Sequence, residues 1–315
     1  MIECAASPPL VATLTSPPRG KCAAWNLKLL REARHAVEIL QRDGVSVMIV
    51  KGLALLGQVY RIDERSIADV DLLVPRAHYR RARALLIKWG YRELPMPQRP
   101  LTARLTPARV FVSRYGVQID LHGIPLGERQ RWAIDHEGLF RRAVPLALES
   151  TRALRPAAED LLLYVALDQA KDYYATDGRP AQDVRRLIEA LPIEWEAVVD
   201  RARAWRCTVA LWATLRHARL QAGARVPAAV EQQLRPVQWR RRALGKLLSL
   251  NNRTPCRLRA TNRRIRQLLV GPLVSDHARR FAAAGAYFAA LRAADYVVTS
   301  VLCLLKIRFL RNHGH

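Results

Sequence analysis

The apolar positions give the chain two regimes, mixed strand and helix periods first and helix periods alone afterwards. Over residues 27–42 they fall at Leu29, Leu30, Ala33, Val37 and Leu40, a helical spacing closed by Asp43-Gly44. Residues 45–50 are a short β-branched run, the composition of a buried strand. Lys51-Gly52 interrupts it, and 53–60 reads as a helix without breakers. A second strand is expected over 67–74, a basic amphipathic helix over 77–89, and a loop over 93–108, which holds four prolines. Residues 110–113 and 117–121 read as a hairpin turning at Arg114-Tyr115-Gly116. From Pro156 the period is helical, with helices expected over 159–173, 181–191, 194–221, 228–234 and 281–310.

Against this pattern a few polar residues stand out. Asp69 and Asp71 lie two apart in the 67–74 strand, so they share one face while Val70 and Leu72 take the other. Two acids in an otherwise apolar strand are costly to bury unless a cation neutralises them. The bland alternative is a solvated strand end, or salt bridges to nearby arginines. In Val117-Gln-Ile-Asp-Leu-His122, Asp120 projects opposite Ile119 and Leu121, with His122 on its own face. His122 reads as an outer-shell ligand, a general base, or a hydrogen-bonded structural histidine. A strand, a glycine turn and a helix start would together present backbone N–H groups to an anion, with Lys51 as a point charge beside Gly52. An ordinary left-handed turn and a surface lysine would look the same. Arg65 is placed to clamp phosphate, although one such arginine among 52 basic residues arises easily by chance.

The arrangement of Lys51-Gly52, Arg65, Asp69-Val-Asp71-Leu-Leu-Val74 and Ile119-Asp-Leu-His122 resembles the polymerase-β-like nucleotidyltransferases, and within them a group of uncharacterised bacterial members. The likeness is good over about residues 25–125 and looser beyond. It implies an α+β core, a mixed sheet with helices, followed by a C-terminal all-helical domain. It also implies Mg²⁺, two ions, held by Asp69, Asp71 and Asp120, with an NTP such as ATP as donor and Lys51, Gly52 and Arg65 on its phosphates. Hard cations of this kind prefer carboxylate oxygens, and two of them can serve an in-line displacement at phosphorus. Asp183 resembles a helix position often occupied by Asp in such proteins, but by itself it reads as a capping or salt-bridged acid. Two departures are visible: Leu53 stands where a turn serine is usual, and the gap from Gly52 to Asp69 is longer than in compact members.

Composition refines the setting. A chain of 315 residues, half of them hydrophobic, accommodates a proline-rich leader over 1–24, a catalytic domain over 25–150 and a helical domain over 151–315. The net charge of +25 is concentrated beyond residue 150, where 29 basic residues meet 13 acidic ones, and residues 232–275 carry eleven Lys+Arg and no acid. That favours a polyanionic partner, RNA or tRNA above all and an anionic membrane surface in principle, or it reflects only abundant arginine. Five scattered cysteines with no zinc spacing, and no signal-peptide or bilayer-length apolar run, fit a cytoplasmic protein. The expected activity is transfer of an NMP to a hydroxyl or phosphate acceptor. A small molecule or protein acceptor follows from the resemblance, and an RNA acceptor from the charge. The contrasting class is a non-catalytic nucleotide-binding or interaction module that keeps the fold.

Overall fold

The computed structural model describes residues 19–95, 108–127, 132–149, 151–171, 179–253 and 272–276, with three isolated positions further on. Most of the 1–24 leader, the 96–107 loop, the 281–310 helix and residues 254–271 of the basic segment therefore lie outside the described residues.

A seven-stranded mixed sheet organises the first half. Its strands are β1 (Met48–Val50), β2 (Val70–Leu73), β3 (Arg92–Glu93), β4 (Ala108–Val112), β5 (Gln118–His122), β6 (Val144–Leu148) and β7 (Thr151–Arg155), in the order β3-β4-β5-β2-β1-β7-β6. β1 and β2 are fully buried; β1 is apolar throughout, while β2 takes one acid, Asp71, inside with it. β2 runs antiparallel to β1 and parallel to β5, and β5 runs antiparallel to β4 in the expected hairpin. Gly116 turns that hairpin with φ of 75°.

Helix α1 (Arg19–Arg42) is longer than the 27–42 pattern, since it takes in residues 19–24 of the expected leader. The extension has a use. Asn26, fully buried, donates from Nδ2 to the carbonyls of Ile62 and Arg65, each at 2.7 Å, and accepts from the Ile67 N–H at 3.3 Å. Trp25 Nε1 donates to the Ile67 carbonyl at 2.7 Å. α1 thus pins the loop that carries Arg65 into the Asp69-Val-Asp71 strand.

Three expectations need correction. Residues 53–60 do not form a helix: one 3₁₀ turn, Leu53–Leu55, is followed by a fold-back through Gly57 at φ 84°. Leu53, Ala54, Leu55, Leu56, Val59 and Tyr60 are all buried, and only Gly57 and Gln58 at the fold-back reach the surface, so the segment packs as irregular chain against the core. The 194–221 helix is two helices, broken where Arg206 adopts φ 56° before Cys207. The pair β6–β7 was not expected at all, yet β7 extends the sheet through Met48↔Leu154, four residues past position 150.

The second half is helical: α2 (Tyr79–Lys88) and α3 (His136–Arg141) cover the sheet region, then α4 (Ala158–Lys171), α5 (Arg179–Ala190), α6 (Trp195–Ala204), α7 (Thr208–Ala222), α8 (Ala228–Gln233) and α9 (Gln238–Arg253) follow. α4 is buried nearly all round, the mark of a central helix. Its Asp160, fully buried, accepts from Arg142 Nε at 2.8 Å and from Arg201 Nη1 at 3.3 Å, tying α3, α4 and α6 together. Asp276 closes the other end by accepting from the Thr208 and Val209 N–H groups, a cap on α7 supplied from across the sequence. Cys22 and Cys207 are buried free thiols, and no described helix is long and apolar enough to cross a membrane.

Candidate active site

Parallel pairing of β2 with β5 sets Asp71 directly beside Asp120, with Leu73 beside His122. Residues in register on adjacent strands point to the same face, so both carboxylates and the imidazole project together. Asp71, Asp120 and His122 each offer a ligand atom, and these atoms lie within 4.8 Å of one another. Asp69 stands one residue before β2, on the same face by alternation and partly exposed at the strand entry.

Asp71 is the hub. Its Oδ1 accepts from Lys51 Nζ at 2.5 Å and lies 3.0 Å from His122 Nε2. Burial pushes its carboxyl upward, but the bonds from His122 and Lys51 outweigh that and hold it below the usual carboxylate range. On Lys51, burial works against the ammonium, and the charges of Asp71 and Asp168 more than restore it, so it stays protonated. Asp69 goes the other way: burial, then the neighbouring charges of Asp71 and Asp120, raise it to about 6. Asp120 is oriented by Gln118, whose Nε2 donates to Oδ1 at 2.9 Å from two residues back on the same face. His122 Nδ1 is buried with no hydrogen-bond partner.

The Lys51-Gly52 turn differs from its expected form. The left-handed residue is Lys51, at φ 55°, while Gly52 has right-handed helical angles. Glycine is required for space instead: a Cβ there would lie 2.8 Å from Nη1 of Arg65 and 3.3 Å from Cγ2 of Ile67. Since only a single 3₁₀ turn follows, no helix dipole is aimed at this turn.

Arg65 is held in a fork. Its Nε and Nη2 donate to Oδ1 and Oδ2 of Asp183, each at 2.7 Å, and Tyr60 OH donates to Oδ1 at 2.9 Å. Asp183 on α5 is thus the salt-bridged acid that its context suggested, and the pair joins the sheet to the helical half beside Gly52. The structure therefore brings Lys51, Asp69, Asp71, Asp120 and His122 together, and sets Gly52 and Arg65 one step to the side. It also exposes partners that single residues did not announce: Gln118, Tyr60 and Asp168. Gln118 was open to detection, because it lies at i−2 from Asp120 on one strand face.

A mixed sheet that seats paired carboxylates on neighbouring parallel strands, with a lysine-glycine turn at their edge, is what the resemblance to nucleotidyltransferases implies. Residues 3–223 match the family described as uncharacterised nucleotidyltransferase, and the chain belongs to that family. Among solved structures, the lincosamide antibiotic adenylyltransferase LnuA with bound lincomycin is similar at 14% identity and TM-score 0.36, over 51% of this chain and 97% of that one. An antigenic nucleotidyltransferase-like protein from Paracoccidioides brasiliensis is similar at 14% identity and TM-score 0.39, over 70% of this chain and 94% of that one. No curated protein matches the sequence.

Proposed function

We propose that the protein transfers an NMP from an NTP to a hydroxyl or phosphate acceptor, using the Asp69, Asp71 and Asp120 carboxylates as the seat of Mg²⁺. The observation that carries this reading is the in-register Asp71–Asp120 pair, with the buried, unpartnered Nδ1 of His122 beside it. The donor set suits the ion: carboxylate oxygens are hard ligands, and a divalent cation would offset the burial and the neighbouring charges that lift Asp69 to about 6. When bound, Mg²⁺ supplies charge neutralisation at the α-phosphate and at the pyrophosphate leaving group.

The chain's own residues do the rest. An acceptor oxygen attacks the α-phosphorus, the bond from that phosphorus to the bridging oxygen of the β-phosphate breaks, and pyrophosphate departs with the electron pair. The acceptor proton passes to solvent or to the carboxylate at Asp69. Lys51 sits on Asp71 as the cation a metal ion would release, and its ammonium then serves the phosphates. Gly52 keeps the backbone low enough for the triphosphate to approach, and Arg65, fixed by Asp183, offers a positive edge behind it. His122 orients Asp71. Replacing Asp71 by Asn tests the assignment: transfer should fall by about three orders of magnitude or more, the scale on which removing a charge-stabilising group acts, while the protein stays folded.

One observation favours a second reading of the acceptor. Between α7, α8 and α9 lies a cavity of about 820 Å³ lined by Arg216, Arg235, Arg241, Arg242 and Lys246, with Trp212 in its wall. Arginine beside an aromatic ring suits RNA phosphates and bases, which supports an RNA end as acceptor. A small molecule or protein acceptor requires no such groove.

A further inference from the structure

A second, smaller cavity opens one side chain away from the carboxylates. It measures about 90 Å³ and is lined by Lys51, Gly52, Arg65, Asp168, Gln169 and Asp183 among others. Gln169, near the end of α4, is 3% exposed, and neither its Oε1 nor its Nε2 has a hydrogen-bond partner. A buried amide with both ends unpaired is destabilising and is uncommon in folded proteins. Something that both donates and accepts fits the space it faces.

The charges around the cavity indicate what kind of ligand that is. Lys51 is matched by Asp71, Arg65 by Asp183, and Lys171 donates to Asp168 Oδ1 at 3.2 Å. With cations and acids balanced until a metal ion frees Lys51 for the phosphates, the end of the cavity at Gln169 has little net pull on an anion. What remains is an amide, with two donors and one acceptor oxygen, next to an aspartate. A vicinal diol matches that set, because each hydroxyl both donates and accepts. Size agrees with a small polar group: an apolar cavity of about 150 Å³ takes up benzene, and this one, at about 90 Å³, has room for the diol edge of a sugar ring.

We propose that Gln169, with Asp168, forms a sugar-diol subsite beside the carboxylate cluster. The diol belongs either to the ribose of the donor NTP or to a sugar of the acceptor. The inference rests on the nucleotidyltransferase reading, and it assigns Gln169 to substrate binding and not to the chemistry.

The test uses the full chain, Mg²⁺ and calorimetry. Each of the four NTPs is titrated first, and the tightest binder is compared with its 2′-deoxy, 3′-deoxy and 2′,3′-dideoxy forms, in wild type and in Gln169→Met. A ribose subsite predicts that wild type prefers the ribonucleotide about tenfold, that Gln169→Met abolishes this preference, and that affinity for the dideoxy form is unchanged. Gln169→Glu, which keeps the acceptors and loses the donors, should retain part of the preference, and it serves if the Met variant fails to fold. An acceptor subsite predicts no preference among nucleotides. Methyl glycosides bearing a vicinal diol should then raise the melting temperature of wild type, with or without nucleotide, and not that of Gln169→Met. A Gln169→Met protein that melts no lower than wild type fits an amide held for a ligand. Absence of both a ribose preference and a diol-dependent shift would overturn the proposal and leave a water-filled cavity. Failure to bind any NTP with Mg²⁺ would instead remove the nucleotidyltransferase reading, and the glycoside arm would still report on Gln169.

Discussion

Asp71 accepts two hydrogen bonds on one oxygen while 3% exposed, and Asp69 on the same face shifts in the opposite direction. Asp69, with its carboxyl lifted to about 6, keeps its proton to a higher pH in the folded protein than in the unfolded chain. A group whose folded value is raised contributes stability that is fully present below its unfolded value and is lost as pH rises through the folded one. In EDTA, therefore, stability should decline between about pH 4 and pH 6, and Asp69→Asn should flatten that decline. Mg²⁺ should reverse it in wild type only. Thermal melts across this range, with and without the ion, provide the check, and an identical slope in the variant would count against a raised Asp69 carboxyl. Gly52 gives a second prediction at this scale. Gly52→Ala drives a methyl against the Arg65 guanidinium, which cannot swing away without leaving Asp183, so a loss of about 1–3 kcal/mol is expected. Urea denaturation measures it. That tight approach was hidden in the sequence, because it depends on where Arg65 returns. The carboxylates were legible, because a period of two is enough to put Asp69 with Asp71 and Asp120 with His122.

At the scale of elements, the strands that carry the site could be read from their apolar runs, whereas their neighbours could not. Nothing local in Val70–Leu73 or Gln118–His122 specifies that they lie parallel and in register, and that pairing creates the site. The β6–β7 hairpin was missed although Val144, Leu146 and Leu148 alternate, since Pro145 and the short turn at Glu149 obscured the strand signal. Residues 53–60 were misread for the opposite reason: a mostly apolar stretch without proline looks helical, but Gly57 turns it back at φ 84° and both of its ends are buried. The contact between elements that matters most is the fork from Arg65 to Asp183, with side chains only 19% and 6% exposed. Removing one partner of a buried pair strands the other, so Asp183→Ala should cost about 3–5 kcal/mol. Tyr60→Phe, which deletes one neutral donor to the same carboxylate, should cost about 1 kcal/mol. Chemical denaturation of the two variants should reproduce that order, and near-equal small effects would show that the seam is held elsewhere.

For the whole molecule, charge and catalysis occupy different regions. The sheet carries the carboxylates, and the basic cavity lies among α7, α8 and α9. If that cavity binds RNA, about five phosphate contacts on a single strand predict a slope of log K against log[salt] near −3.5. Reversing Arg241 and Arg242 to Glu should flatten the slope without weakening NTP binding. Fluorescent tRNA titrated between roughly 50 and 200 mM salt decides the matter. Weak binding that is the same for wild type and variant would leave the small-molecule or protein acceptor.

The central claim concerns which phosphorus is attacked and which carboxylate governs it. Purified protein incubated with Mg²⁺, cell extract as acceptor pool and NTPs labelled at either the α- or the γ-phosphate tests both together. Label should move to an acceptor from the α-position and never from the γ-position, and Asp71→Asn should abolish the transfer while its melting curve remains cooperative. Transfer of γ-label, or α-label transfer undiminished in Asp71→Asn, would contradict the account.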